Sequence, residues 1–293
     1  MIIKSYISLS EQAINEVLNL EDVCKKHDNL KGSVFLDTSL NFNHQIKSIF
    51  LLYENGELIS MLSMFIPTQQ EAEISAFTSP KYRQEGYFKA LLTKAVAELG
   101  KYEIPTILFV CESQANSGKK VIAKFKTEYD HTEYFMRSNK KSYEAKEGFR
   151  LGLLKPDGKD LDKLIETSMR TFDDSYEDSR ILIENCFGLE NREQYLAVLN
   201  DQFIGLGAVN LEGDEGSIFG FGIVPEYRGQ GYGTELLHLI VDSLWQRGKT
   251  EITLEVNSEN AHALELYKKS GFQIEVAFEY YRIKVSEVEE RLR

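Results

Sequence analysis

Val224-Pro225-Glu226-Tyr227-Arg228-Gly229-Gln230-Gly231-Tyr232-Gly233 is the stretch whose reading decides the fold. Upstream, Ser217 to Val224 is apolar enough for a strand, and Pro225 stops it. Downstream, Gly231 to Arg247 carries Leu236, Ile240 and Leu244 at four-residue intervals, with Leu237 and Val241 beside them. That spacing makes one apolar helix face. Gly248 ends the helix, and Arg247 sits where a cation complements the helix dipole. A glycine-rich strand-to-helix turn lets the backbone bend tightly and exposes the unpaired amides of the first helical turn. Those amides and the dipole suit an anion, and a pyrophosphate is the natural occupant. Taken alone, the same glycines also suit a plain turn.

The turn occurs twice. Ser79-Pro80-Lys81-Tyr82-Arg83-Gln84-Glu85-Gly86-Tyr87 lies 145 residues before its counterpart at Val224–Tyr232. The same offset sets Leu91-Leu92 on Leu236-Leu237 and Leu58-Ile59 on Phe203-Ile204, and Glu133-Tyr134 meets Glu279-Tyr280 one residue later. Landmarks in one order with so little drift indicate a duplicated domain. The polar run Ser138-Asn139-Lys140-Lys141-Ser142 marks the join, giving expected domains at 1–142 and 143–293.

The chain has 293 residues, enough for two domains, and is 42% hydrophobic and 27% charged, as globular proteins are. No run is long and apolar enough for a membrane span, and the first twenty residues lack the apolar core of a signal peptide. Three scattered cysteines, Cys24, Cys111 and Cys186, read as reduced thiols in a cytoplasmic protein. No Cys or His spacing suggests a metal. Residues 1–146 hold 18 basic and 18 acidic residues, so the whole net charge of −12 lies in the C-terminal half. That charge disfavours nucleic acid as a partner and suits a cationic substrate.

The rest of the second half alternates strand and helix signals. Gly152–Pro156 reads as a strand and Lys159–Phe172 as a helix. Gln194–Leu199 and Phe203–Asn210 read as strands around an Asn200-Asp201 turn. Glu251–Val256 is a strand, Asn260–Lys269 a helix closed by Gly271, and Gln273–Phe278 and Tyr280–Val285 are closing strands. The expected fold is α/β, more strictly an α+β arrangement with a mixed sheet flanked by helices.

The turn with Arg228, Gly231 and Gly233 resembles the Arg/Gln-x-x-Gly-x-Gly/Ala signature of the GNAT acetyltransferases. Residues 254–272, with Asn260, Ala263, Leu266-Tyr267 and Gly271-Phe272, resemble that family's second landmark. The resemblance covers about 203–285 and implies two tandem GNAT-like domains, with acetyl-CoA as co-substrate. It implies that the backbone of Ile223 and Val224 pairs with pantetheine. It also implies that amides across Gly229, Gln230, Gly231, Tyr232, Gly233 and Thr234, beside Arg228, hold the pyrophosphate, and that Asn257 and Asn260 contact the pantetheine arm.

Acetyl transfer to an amine needs a neutral nucleophile, a donor for the oxyanion and a proton for the departing thiolate. Tyr267 shares a helix face with Asn260, and the resemblance makes it the general acid. Leu254-Glu255-Val256 resembles the ribosomal-protein N-terminal acetyltransferases, which implies Glu255 as the base. Glu215 is a weaker candidate, and the oxyanion donor is expected to be an amide near Val224. Asp173, Asp174, Glu177 and Asp178 form either a solvated loop or a selector for a cationic acceptor. In the first copy Gln84 and Phe88 replace Gly229 and Gly233, and Ile122 or Val121 stands where Tyr267 does, so that copy is expected to be non-catalytic. The expected activity is transfer of acetyl to a primary amine of a peptide or, preferably, of a small molecule. The alternative is an acyl-CoA-binding regulatory module without turnover.

Overall fold

The computed structural model describes residues 1–139 and 147–293. The expected cut after Ser142 lies outside the described residues. In chain order the elements are β1 (Ile2–Tyr6), α1 (Glu11–Asp28), β2 (Ile49–Glu54), β3 (Glu57–Phe65), β4 (Glu71–Thr78), α2 (Tyr87–Lys101), β5 (Thr106–Glu112), α3 (Asn116–Lys124) and β6 (Glu128–Asn139). They continue with β7 (Gly152–Leu154), α4 (Leu161–Phe172), α5 (Tyr176–Cys186), β8 (Arg192–Leu199), β9 (Gln202–Glu212), β10 (Glu215–Ile223), α6 (Tyr232–Gln246), β11 (Glu251–Asn257), α7 (Ala261–Lys269), β12 (Gln273–Lys284) and α8 (Val285–Leu292). This is the mixed α/β architecture that the sequence pattern implies. Three elements differ from expectation. The acidic stretch runs straight into α5, β12 is one strand rather than two, and Val285 starts a helix, with Val285 and Val288 buried.

The chain forms two compact units that do not follow the repeat. Unit 1 is Met1–Thr132 with Val276–Arg293; unit 2 is Glu133–Glu275. In unit 1, β1 to β4 pair antiparallel in succession, β4 pairs β5 parallel, and β5 pairs β12 antiparallel. In unit 2, β7 to β10 pair antiparallel in succession, β10 pairs β11 parallel, and β11 pairs residues 133–139 of β6 antiparallel. Each five-stranded run is thus closed by the last strand of the other copy, so a sequence boundary near 142 and the compact units divide the chain differently.

The unit 2 sheet carries helices on both faces. Leu236, Leu237, Ile240, Val241 and Leu244 of α6 pack into one buried cluster with Ile218, Ile252 and Leu254. Leu164 and Ile165 of α4 pack with Ile183, Leu196 and Leu206 in another. At about 25 cal/mol per Å² of apolar area, each such fully buried side chain contributes roughly 1.5–3 kcal/mol before its ordering entropy is counted. Among the described residues no helix is long and apolar enough to cross a membrane.

Candidate active site

The site is built where β10 and β11 part. Their parallel ladder runs from Glu215–Glu251 to Ile218–Leu254, yet β10 continues to Ile223 and β11 to Asn257. On its other edge β10 stays paired with β9, but with a register shift between Phe219 and Gly222. Gly220 lies within that bulge at φ +52°, in the left-handed region that a side chain resists. Gly222 answers a separate demand, because a Cβ there would lie 2.4 Å from Cγ2 of Thr171. The bulge bends β10, and the separated strand ends leave backbone groups open to an extended ligand, as in strand addition.

A 3-10 turn, Pro225–Tyr227, follows β10, and Arg228 returns to extended backbone. The Arg228 side chain points inward. Its Nε donates to Ile223 O at 2.8 Å and its Nη2 to Thr171 O at 2.6 Å, so the guanidinium braces the turn and tethers it to α4. Gly229 and Gly231 take φ +75° and +87°, and Gly231 caps α6 without a side chain. The first-turn amides at Tyr232, Gly233 and Thr234 therefore face outward with no intrahelical acceptor. Tyr232 buries its ring beside Tyr227, so its backbone alone is available to a ligand. A cation that sequence patterns did not single out also sits here. Arg150 lies over the Tyr232 ring at 4.2 Å, donates from Nη2 to Gln230 O at 2.8 Å, and pairs with Glu235.

Two expectations need correction. Both backbone groups of Val224 are already engaged: its N–H donates to Ile204 O at 2.9 Å and its carbonyl accepts from Tyr227 at 3.0 Å. With its N–H spent on Ile204, Val224 cannot be the oxyanion donor, and only its carbonyl, which keeps a second lone pair, could meet a ligand. Backbone groups alternate between the two edges of a strand, so the N–H of neighbouring Ile223 points into the opening instead. Glu215 is withdrawn from a base role because it accepts from Arg137 at 3.2 Å and from Thr253 at 2.9 Å.

Asn260 caps α7, its side-chain carbonyl accepting from Ala263 N at 3.1 Å, and Asn257 accepts likewise from Glu259 N at 2.9 Å. The amide NH₂ groups of both remain as donors for a ligand. About two helical turns beyond the Asn260 cap, Tyr267 is 6% exposed, with Phe221 of the bulge and Phe272 each 6.1 Å away between ring centres. Burial pushes its phenol up to about 12, so it keeps its proton at neutral pH. On β11, Glu255 reaches solvent, but the surrounding protein leaves its carboxylate poorly hydrated. That desolvation, with the charge of Glu133 on β6, raises it to about 7. A carboxyl so placed accepts and releases a proton near neutrality.

The acidic segment serves local structure at two of its four positions. Asp178 accepts from the Ser175 hydroxyl at the cap of α5, and Glu177 pairs with Arg180. Asp173 ends α4 in the left-handed region. Asp174 titrates above the usual carboxylate range, through desolvation and then its Asp178 and Asp173 neighbours.

The Acetyltransferase (GNAT) family model matches twice, at residues 14–123 and 160–272, and the chain belongs to that family. It is a tandem member, two copies in one chain. The alanine N-acetyltransferase of ribosomal protein bS18 from Escherichia coli is 33% identical over 92 residues, which are 30% of this chain and 62% of that protein. The chain thus spans about three fifths of that relative. Two solved structures share the fold along the whole chain. A GCN5-related N-acetyltransferase from Sphaerobacter thermophilus has a TM-score of 0.74 at 15% identity, with 97% of this chain and 95% of that one covered. A tandem GNAT protein from the clavulanic acid biosynthesis pathway has a TM-score of 0.71 at 12% identity, with 97% and 98% covered.

Proposed function

We propose that the second copy transfers an acetyl group from acetyl-CoA to a primary amine of a small molecule or peptide. The observation that carries this reading is the pairing of an open amide turn after Pro225 with a proton-bearing Tyr267 and a near-neutral Glu255 in one unit. The outward amides at the start of α6 suit the coenzyme's pyrophosphate. The open edges of β10 and β11 suit the amides of its pantetheine arm. Glu255, directly or through a water, takes a proton from the acceptor's ammonium. The freed nitrogen attacks the thioester carbonyl, whose developing oxyanion meets the Ile223 N–H. The C–N bond forms, the C–S bond breaks, and the departing thiolate takes the Tyr267 proton. The attacking nitrogen gives up its second proton, which water carries to the Tyr267 phenolate, and Glu255 releases the first to solvent, so one proton leaves with the amide and the free thiol. The family and the bS18 relative support an amine acceptor, and the acidic second half favours a cationic one.

Thiol release from acetyl-CoA across a panel of polyamines, amino sugars and peptides beginning with alanine tests the proposal. Tyr267→Phe is expected to slow turnover by about 10²–10⁴-fold on any accepted amine. An unchanged rate would remove Tyr267 from the chemistry, and no release with any amine would leave only coenzyme binding.

A further inference from the structure

The opening between β10 and β11 is a wedge. It closes at the Ile218–Leu254 pair and widens toward the turn after Pro225. A coenzyme held at that turn by its pyrophosphate enters the wedge thioester first, so its acyl chain lies deepest. Phe221 stands on β10 between the closed end and Ile223. Side chains alternate along a strand. Gly222 faces α4, where an added Cβ would meet Thr171, while Phe221 and Ile223 pack with the α6 cluster on the other face. The rings of Phe221 and Phe272 each lie 6.1 Å from that of Tyr267 between centres. Phe272 is buried behind it, whereas Phe221 is only half-buried, on the side of the opening.

The repeat shows that the fold can fill this space another way. At the matching places of the first copy, Leu62 of β3 lies opposite Ala76 of β4, with Leu62 buried in the α2 cluster and Ala76 packed against it. In the second copy that pair is Gly207 and Phe221. The bulk is carried by the middle strand in the first copy and by the strand that lines the opening in the second. Gly207 makes the exchange possible, because a Cβ there would lie 3.3 Å from Cδ2 of Phe221 and 2.8 Å from Cδ1 of Ile240. The next position has changed in the reverse sense: Phe77 packs with the α1 cluster, and its counterpart Gly222 has no side chain. A core that needs only volume is served by Leu62 and Ala76. A ring on β10 beside Tyr267 also limits the depth of the wedge.

We propose that Phe221 sets the length of the acyl group that the second copy accepts, closing the wedge behind an acetyl methyl. The proposal rests on the reading of this opening as the coenzyme's channel and of Tyr267 as the acid. With the thioester carbonyl at the Ile223 N–H and its sulfur at Tyr267, the acyl substituent points along β10 at the Phe221 ring. A longer chain meets that ring before its thioester reaches Tyr267.

The test compares acetyl-CoA with butyryl-CoA on the full chain, by thiol release with an accepted amine and by calorimetric affinity with no amine present. One methylene too many in a filled apolar pocket is worth about 10–200-fold, so wild type should favour acetyl over butyryl by about 100-fold or more in kcat/KM. Phe221→Ala should shrink that ratio at least about 10-fold, and Phe221→Leu, which keeps more of the core filled, should fall between. A merely structural ring would lower both donors together and leave their ratio where it was. An unmoved ratio in both variants overturns the proposal, as does a wild type that takes both donors equally. If wild type releases no thiol from either donor, the transfer reading falls, and the ratio of the two affinities still decides the role of Phe221.

Discussion

The turns of the two copies follow nearly the same backbone path, yet only the second keeps the residues on which the proposed chemistry rests. Arg83 donates from Nε to Thr78 O at 3.0 Å, as Arg228 does to Ile223 O at 2.8 Å. Gly86 takes φ +86° where Gly231 takes +87°, and Gln84 accepts φ +70° where Gly229 has +75°. A side chain held in that left-handed region costs on the order of 1 kcal/mol, so the first copy keeps the turn's shape at some expense. What it does not keep is everything that faces a ligand. β4 is eight residues long and pairs with β3 without the register shift that bends nine-residue β10. Phe88 replaces Gly233 and packs its ring 6.4 Å from both Phe109 and Phe125. The matching starts of α3 and α7 place Ala115 at the Asn260 cap and buried Ile122 at Tyr267. Features shared by both copies therefore belong to the fold, and features confined to the second are those that the proposed reaction uses.

Making the second copy resemble the first should break it. Gly233→Phe installs the residue of the first turn where even a Cβ would lie 3.2 Å from Leu266 Cδ1. Coenzyme A affinity is expected to fall about 100-fold, equivalent to about 2.7 kcal/mol, as read by calorimetry. Retained affinity would mean that the glycine pattern is incidental. The bulge gives a smaller effect. Gly222→Ala would force its Cβ against Thr171, whereas Phe77 occupies the matching position of the first copy. Overpacking of this kind costs about 1–3 kcal/mol, visible as a lower urea midpoint; an unchanged midpoint would show that α4 gives way freely.

The smallest effect concerns the base. An unfolded glutamate releases its proton near ~4.3, whereas folded Glu255 holds its own up to about 7. Between those values the folded state binds more protons than the unfolded one, so stability falls as pH rises through the window. Glu255→Gln removes that loss. Its melting temperature should exceed wild type at pH 8 and by less at pH 5; an equal difference at both would contradict the assigned ionisation.

Much of this was legible in the sequence. The four-residue spacing of Leu236, Ile240 and Leu244 gave α6, and the repeat gave the tandem architecture. The spacing of Asn260 and Tyr267 placed both on α7. Other features depend on pairing partners that local patterns do not encode. Nothing in residues 128–139 says that the strand will pair with β11, so Glu133 registered only as a repeat landmark. Arg228 matched a signature, but whether its guanidinium faces the ligand or braces Ile223 and Thr171 is decided by where α4 ends. Val224 has no N–H to offer a ligand because that group is spent on Ile204 of β9. Helix α5 was hidden by its acidic first turn, which reads as a loop until Ser175 is seen to cap it.

The central claim is that the amide turn of the second copy, and not that of the first, holds the coenzyme. Calorimetric titration of the full chain with coenzyme A tests it most directly, beside Gly231→Glu and Gly86→Glu, which place the same strained, charged side chain in the two turns. One equivalent bound per chain, abolished by the first substitution and untouched by the second, is the predicted result. Undiminished binding in Gly231→Glu, or its loss in Gly86→Glu alone, would contradict the account.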